Sequence, residues 1–296
     1  MRLKSLFIAL FVIVLFAGKN ACAQDTAGAT VFHIRSSNTS FPDTGRARGH
    51  TYNNKFFSTE DHYSDNTVLI VAPKKLDAGK TVDLVFWFHG WNNNVDNSAA
   101  YYELTKQFIA SKRNAVLVLA ETTRDAPDSY GGKLENKGVF RSLVADVVKS
   151  LIKQQLIPGK CAPGHILLGG HSGAYRVMAR IIANGQMSID EAMLFDSLYG
   201  ETDKYMAWIK ADGSHRFIHL FTNNGGTFDE SHNMVKQLAG AGIKYKEIEE
   251  SALSPAELNY NAILFIHSLK EHNDVVNQNN FKLMLENEPF LKSIKE

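Results

Sequence analysis

His165-Ile166-Leu167-Leu168-Gly169-Gly170-His171-Ser172-Gly173-Ala174-Tyr175-Arg176-Val177-Met178-Ala179-Arg180-Ile181-Ile182 decides how this chain is read. The apolar run His165-Leu168 reads as a buried strand, and from Tyr175 onward Val177, Met178, Ile181 and Ile182 recur with helical period. Between them the chain must turn sharply at Ser172. A strand that passes abruptly into a helix crowds the positions two before and two after the turn, and Gly170 and Ala174 supply the small residues needed there. Ala174 stands where glycine is more usual. Such a turn presents the serine hydroxyl at the carboxyl edge of a sheet. It also places the backbone N–H of Gly173 at a helix start, where it can donate to a developing negative oxygen.

Outward from this turn, apolar β-branched runs alternate with longer stretches of helical period, the pattern of βαβ units that build a parallel sheet. The strand candidates are Thr67-Ala72, Val82-Phe88, Ala115-Ala120, His165-Leu168, Ala192-Phe195, Arg216-Phe221 and Ala262-His267. Their continuous rather than alternating apolarity suits strands covered on both faces. Phe140, Leu143, Val144, Val147, Val148, Leu151 and Ile152 mark an amphipathic helix, with further helices expected at Ala99-Ser111, Ala174-Ala183, Asp229-Leu238 and Phe281-Leu285. The expected fold class is α/β: a mostly parallel central sheet with helices on both faces, in one domain over 67–296. Residues 24–66 form an N-terminal region packed on it, with an edge strand at Val31-Ile34 and a structured loop from Phe41 to Tyr63.

A second turn follows an early strand, where Val82-Phe88 runs into His89-Gly90-Trp91-Asn92-Asn93-Asn94. With this pair of turns in this order, the chain resembles the α/β-hydrolase superfamily, in which a His-Gly turn supplies the second oxyanion-hole N–H. The resemblance runs from about Thr67 to the C-terminus. It implies that the N–H of Gly90 or Trp91 pairs with that of Gly173, and that His89 orders the loop. It also implies a chain order of serine, acid, histidine, which makes His272, in the polar stretch after Ala262-His267, the general base in preference to His267.

The acid is expected at Asp196, directly after the strand Ala192-Phe195. Asp229 is the alternative after the next strand. Thr227-Phe228-Asp229-Glu230 fits a capping box, however, with Thr227 as N-cap and Glu230 reaching back to it, so both acids there have a structural explanation. Asp274 lies too close to His272 in sequence to wrap round to its imidazole. His89, Asn92, His171, Tyr130 and Tyr199 fall on post-strand loops where they can border a substrate pocket. The long stretch Glu121-Asn136 follows a strand end and is a further candidate lining. His215 and His219 lie four apart on a strand without a third ligand of metal-site spacing, so no metal is expected and the chemistry calls for no cofactor.

Composition bounds the partners. The 296 residues are 44% hydrophobic and 21% charged, with 32 basic against 31 acidic residues, so no net field points to nucleic acid. Two cysteines exclude a disulfide scaffold. Arg2 and Lys4, the apolar run Leu6-Ala17 and Ala21-Cys22-Ala23 read as a signal peptide over 1–23, too short in its apolar part to span a bilayer. A lipoprotein signal ending at Cys22 is disfavoured by Lys19 just before it. The chain is therefore expected to be exported, periplasmic or secreted. The expected activity is serine hydrolysis of a carboxylic ester on a small-molecule or polymer-borne acyl substrate; a peptidase of the same fold and a non-catalytic ligand binder are the alternatives.

Overall fold

The computed structural model describes residues 24–295 apart from 27, 261 and 278; the signal peptide expected over 1–23 lies outside the described residues. Its strands are β1 Gln24–Thr26, β2 Ala29–Arg35, β3 His50–Tyr52, β4 Lys55–Phe57, β5 Thr67–Pro73, β6 Thr81–Phe88, β7 Ala115–Ala120, β8 Ala162–His171, β9 Glu191–Phe195, β10 Arg216–Thr222, β11 Lys246–Glu249 and β12 Ile263–Ser268. The helices are α1 Thr59–His62, α2 Val95–Tyr101, α3 Leu104–Ala110, α4 Val139–Lys153, α5 Tyr175–Asn184, α6 Thr202–Ala211, α7 Phe228–Gly240, α8 Pro255–Tyr260 and α9 Asn280–Glu286. Ten strands form one sheet in the order β1-β2-β5-β7-β6-β8-β9-β10-β12-β11. From β7 to β11 every pairing is parallel, and only the β1, β2 and β5 end is antiparallel.

Continuous apolar runs become strands covered on both sides: β5, β7, β9 and β10 are buried along their whole lengths. Side chains alternate across a strand, so each strand feeds two cores. On one face Phe86, Val118, Leu168, Leu194 and Phe217 pack against Phe140, Leu143 and Val147 of α4, Met178 and Ile181 of α5, Tyr205 of α6 and Leu238 of α7. On the other, Val85, Trp87, Leu117, Leu167 and Met193 pack against Leu104 and Phe108 of α3, Leu258 of α8, and Phe281 and Met284 of α9. Each such aliphatic or aromatic side chain withdrawn from water is worth about 1.5–3 kcal/mol, which holds helices of ordinary propensity against the sheet.

From β6 the chain goes through α2 and α3 on one face to β7, then back through α4 on the other face to β8 on the far side of β6. The direction of winding therefore reverses between β6 and β8. A crevice opens at the carboxyl ends of strands flanking such a reversal. The turns at His89-Gly90 and at Ser172 lie there.

Several local expectations are revised. The single helix expected at Ala99-Ser111 is two, because Tyr102 and Glu103 interrupt it with Glu103 at φ 48°, and Asn94 caps the first through the Asn97 N–H. Val31-Ile34 lies in β2, second from the end of the sheet, and β1 covers only its first residue, through the pairing of Gln24 with Val31. The Phe41 to Tyr63 loop contains the β3–β4 hairpin and α1 and closes over a small core of Phe41, Phe57, Tyr63 and Ala126. The capping box at Thr227 does not form: α7 does begin after Thr227, but the Thr227 side chain makes no cap, and Glu230 instead accepts from Thr202 Oγ1. Among the described residues no helix is long and apolar enough to cross a membrane.

Candidate active site

Ser172 directly follows β8 and holds φ at 55°, a left-handed conformation that non-glycine residues adopt at a cost of about 1–3 kcal/mol. Packing supports the turn. A methyl group at Gly170 would lie 2.6 Å from Ala174 Cβ and 2.7 Å from Met178 Sδ, so α5 can start this close to β8 only over a glycine. From just beyond the neighbouring strand β9, Ser197 Oγ donates to the Ser172 carbonyl at 2.7 Å.

Asp196 leaves β9 in a left-handed conformation of its own, at φ 46°, and its carboxylate is buried. Oδ2 accepts from Thr222 Oγ1 at 2.7 Å and from His272 Nδ1 at 2.7 Å, while Oδ1 accepts from the Thr222 N–H at 3.2 Å and from Thr227 Oγ1. Burial alone would raise its pKa, but these hydrogen bonds, led by the one from His272, hold it at about 2. Facing this carboxylate, His272 donates through Nδ1, and no hydrogen bond engages Nε2 among the described residues. Its side chain is 26% exposed, enough to meet a substrate without dissolving the buried pair.

His171 packs against this imidazole. Its ring lies 4.5 Å from that of His272, Nε2 donates to the His272 carbonyl at 2.9 Å, and Nδ1 meets the Tyr102 hydroxyl at 3.0 Å. Burial first, and the like charge of His272 second, push His171 down to about 3, so it stays neutral. Tyr199 stands 6.4 Å from the His272 ring and donates to the Gly225 carbonyl. Its hydroxyl is raised by burial and then by the Asp196 charge, with the Ser172 hydroxyl acting the other way.

The turn after β6 lies against Ser172. A methyl group at Gly90 would fall 2.7 Å from Ser172 Cβ, 3.0 Å from the His171 carbonyl and 3.2 Å from Ser172 Oγ, which is why only glycine fits. A methyl group at Gly173 would lie 2.5 Å from Trp91 Cδ1, so the Trp91 indole covers that residue. The indole is 41% exposed, is pinned by Nε1 donating to Ser129 Oγ at 2.7 Å, and meets Tyr52 of β3 edge to face. The Glu121-Asn136 loop cradles the turn: the Asn92 N–H donates to the Ala126 carbonyl, and the Asp125 N–H to that of Asn93.

The remaining candidates are held by partners of their own or are exposed. His89 and His171, expected to border a pocket, are buried with their ring nitrogens turned to internal partners. Tyr130 donates to Asp43 and packs against Arg46 and Arg176. Asn92 is exposed at the turn. His267 is tied to Glu249 and Asn223, and Asp229 and Asp274 are exposed. His215 finds the Trp208 carbonyl and buried His219 finds Ser231 and the Leu194 carbonyl. Sequence reading missed Thr222 and Thr227 as partners of Asp196 and Tyr102 as partner of His171; threonines at a strand end carry no signal of their own.

No protein-family model matches the chain, and no curated protein matches it in sequence. Solved structures share its fold. A ferulic acid esterase superposes with a TM-score of 0.53 at 8% identity, covering 88% of this chain and 97% of the other. FphF, a fluorophosphonate-binding serine hydrolase of Staphylococcus aureus, does so at 0.51 and 10% identity, covering 88% and 100%. The feruloyl esterase module from Clostridium thermocellum gives 0.50 at 12% identity, covering 78% and 84%. The parallel sheet, its two helical layers and these superpositions together give the chain the α/β-hydrolase fold.

Proposed function

We propose that the chain is an exported serine hydrolase that cleaves a carboxylic ester through an acyl-enzyme on Ser172. The observation that carries this reading is the convergence, at one sheet edge, of Ser172, the Gly90-Trp91 turn and a His272 imidazole whose tautomer is set by buried Asp196. Ser172 Oγ attacks the ester carbonyl carbon while His272 Nε2 takes its proton. The oxygen that becomes negative is held by the N–H groups of Gly173 and Trp91. Collapse of the tetrahedral species expels the alcohol, which receives the proton from His272. Water then attacks the acyl group with His272 again as base and releases the acid. The esterase names carried by similar folds support an ester over an amide. The charged start, apolar run and small-residue stretch within 1–23 support export.

A fluorophosphonate probe followed by mass spectrometry tests the reading, together with rates on p-nitrophenyl acyl esters beside peptide anilides. One label per chain on Ser172 and ester turnover well above anilide turnover are expected. A folded chain that takes no label overturns the proposal.

Gly90→Ala is expected to lower kcat about 100-fold or more, the loss typical of one misplaced oxyanion donor. The added methyl has only Ser172 and the His171 carbonyl to push against, so overpacking also costs about 1–3 kcal/mol of stability. Ester kinetics with a thermal melt measure both; unchanged kcat would remove the turn from the reaction.

A further inference from the structure

Tyr199 stands beside the nucleophile with the proton of its hydroxyl already committed. The chain leaves β9 at Asp196 and reaches Tyr199 three residues later, and the tyrosine Oη donates to the Gly225 carbonyl in the turn after β10. Gly225 is itself held in place. Its N–H donates to Thr222 Oγ1 at 2.9 Å, and Thr222 Oγ1 donates in turn to Asp196 Oδ2 at 2.7 Å. A methyl group at Gly225 would run into Asp196 Oδ2, and one at Gly226, where φ is 92°, would lie 3.0 Å from Tyr199 Cε1. The two glycines therefore make room for the acid and for the tyrosine ring. That ring also packs on Tyr175, centroids 5.7 Å apart, and stays 38% exposed.

A phenol has one proton and two lone pairs. With the proton on the Gly225 carbonyl, Tyr199 offers a substrate only acceptor positions, and burial together with the Asp196 charge keeps the phenol protonated at neutral pH. The Ser172 hydroxyl lies close enough to act on it as a hydrogen-bond donor. That donor is lost during the reaction, because the Ser172 proton passes to His272 and its oxygen bonds to the acyl carbon. The acceptor released beside the nucleophile is then matched by a donor on the substrate.

Strand order says which part of the substrate it meets. The Gly90-Trp91 turn follows β6, on one side of Ser172, whereas Tyr199, the Gly225 turn and His272 follow β9, β10 and β12, on the other. The leaving alcohol oxygen has to lie beside His272 to receive its proton, and the His272 ring is 6.4 Å from that of Tyr199. Tyr199 thus borders the alcohol portion of the ester. The nearest donor that such a portion can carry is a hydroxyl on the carbon next to the one bearing the ester oxygen.

We propose that Tyr199 is a specificity residue that accepts a hydrogen bond from this hydroxyl, so that the preferred substrates are monoesters of vicinal diols, the unit present in partly acylated glycerol and sugars. This rests on the serine hydrolase reading and names the alcohol it takes.

2-Hydroxyethyl, 2-methoxyethyl and propyl butyrate share an acyl group, and only the first carries a donor on its alcohol. The wild type is expected to favour the hydroxyethyl ester over each of the others about tenfold in kcat/KM, the effect of one neutral hydrogen bond. In Tyr199→Phe the preference should fall to within about twofold of unity. Each preference is a ratio measured on one protein, so a loss common to all three esters does not enter it. A preference that survives in Tyr199→Phe overturns the proposal. Equal kcat/KM for the three esters in the wild type overturns it as well, and needs no variant to fold.

Monobutyrylglycerol and a methyl hexoside butyrylated on a ring hydroxyl carry the same unit on larger alcohols. Preference of the wild type for either over propyl butyrate supports the proposal and identifies the polyol; preference for neither overturns it. A wild-type chain that turns over none of these esters and takes no fluorophosphonate label would instead remove the hydrolase reading, so the two failures are distinguishable.

Discussion

Ser172→Ala is expected to lower kcat/KM for a p-nitrophenyl ester by about 10,000- to 1,000,000-fold, to the residual rate that binding and the oxyanion donors alone provide. What the substitution removes is one oxygen. The turn itself survives, because the contacts that hold it involve other groups: Gly170 over Ala174 and Met178, and Ser197 Oγ donating to the backbone carbonyl of residue 172. Alanine bears the left-handed φ about as well as serine does, so the melting temperature should move by only a few degrees. The Michaelis constant should change little, and the fluorophosphonate label should vanish from the folded protein. Retention of more than about a tenth of the wild-type rate would mean that the chemistry does not pass through this hydroxyl.

The strands and the turns at Gly90 and Ser172 were legible because burial on two faces demands unbroken apolar runs, and close approach demands small residues at fixed offsets. Ala115-Ala120 is such a run, and the Gly170, Ser172, Ala174 spacing is such an offset. Elements whose reason lies elsewhere were not legible. β11 reads Lys246-Glu247-Ile248-Glu249 and pairs with β12 at the sheet edge, where its polar alternation resembles loop. The hairpin β3–β4 is likewise set by its packing over Phe41 and Tyr63. α6 did carry a signal, since Thr202, Tyr205, Met206 and Ile209 are buried at helical spacing. Thr227 shows how one side chain can satisfy two local rules: its position fits an N-cap, but a buried carboxylate facing it is a stronger acceptor demand than a solvent-accessible helix start. His171 and His89 read as cleft residues from their loop positions, and turned inward because each has two internal partners waiting.

The acid is where electrostatics give the sharpest test. Asp196→Asn is expected to cut kcat about 10,000-fold at neutral pH, because no placement of the amide satisfies the donors that now converge on the carboxylate. If the amide nitrogen takes the Oδ2 position, it meets His272 Nδ1, and the ring can accept only by moving its proton to Nε2, the nitrogen that must receive the Ser172 proton. If it takes the Oδ1 position, it opposes the Thr222 backbone N–H, a donor that cannot turn away, and buries an unmatched pair at a cost of about 1–3 kcal/mol. The first arrangement leaves the fold unharmed and so should prevail, which makes the variant stable and inactive. Stability against pH gives an independent readout. The folded carboxyl titrates at about 2, below its ordinary 3.8, so its ionised form stabilises the fold above about pH 4, and that contribution is lost as pH falls from about 4 toward 2. The wild type should lose roughly 2 kcal/mol over that window through this group, and Asp196→Asn should not lose it. Asp229→Asn, at an exposed position on α7, should match the wild type in both rate and acid stability. Near-normal turnover in Asp196→Asn with a collapse in Asp229→Asn would move the acid to the later strand and leave the 2.7 Å bond between Asp196 and His272 without a catalytic role.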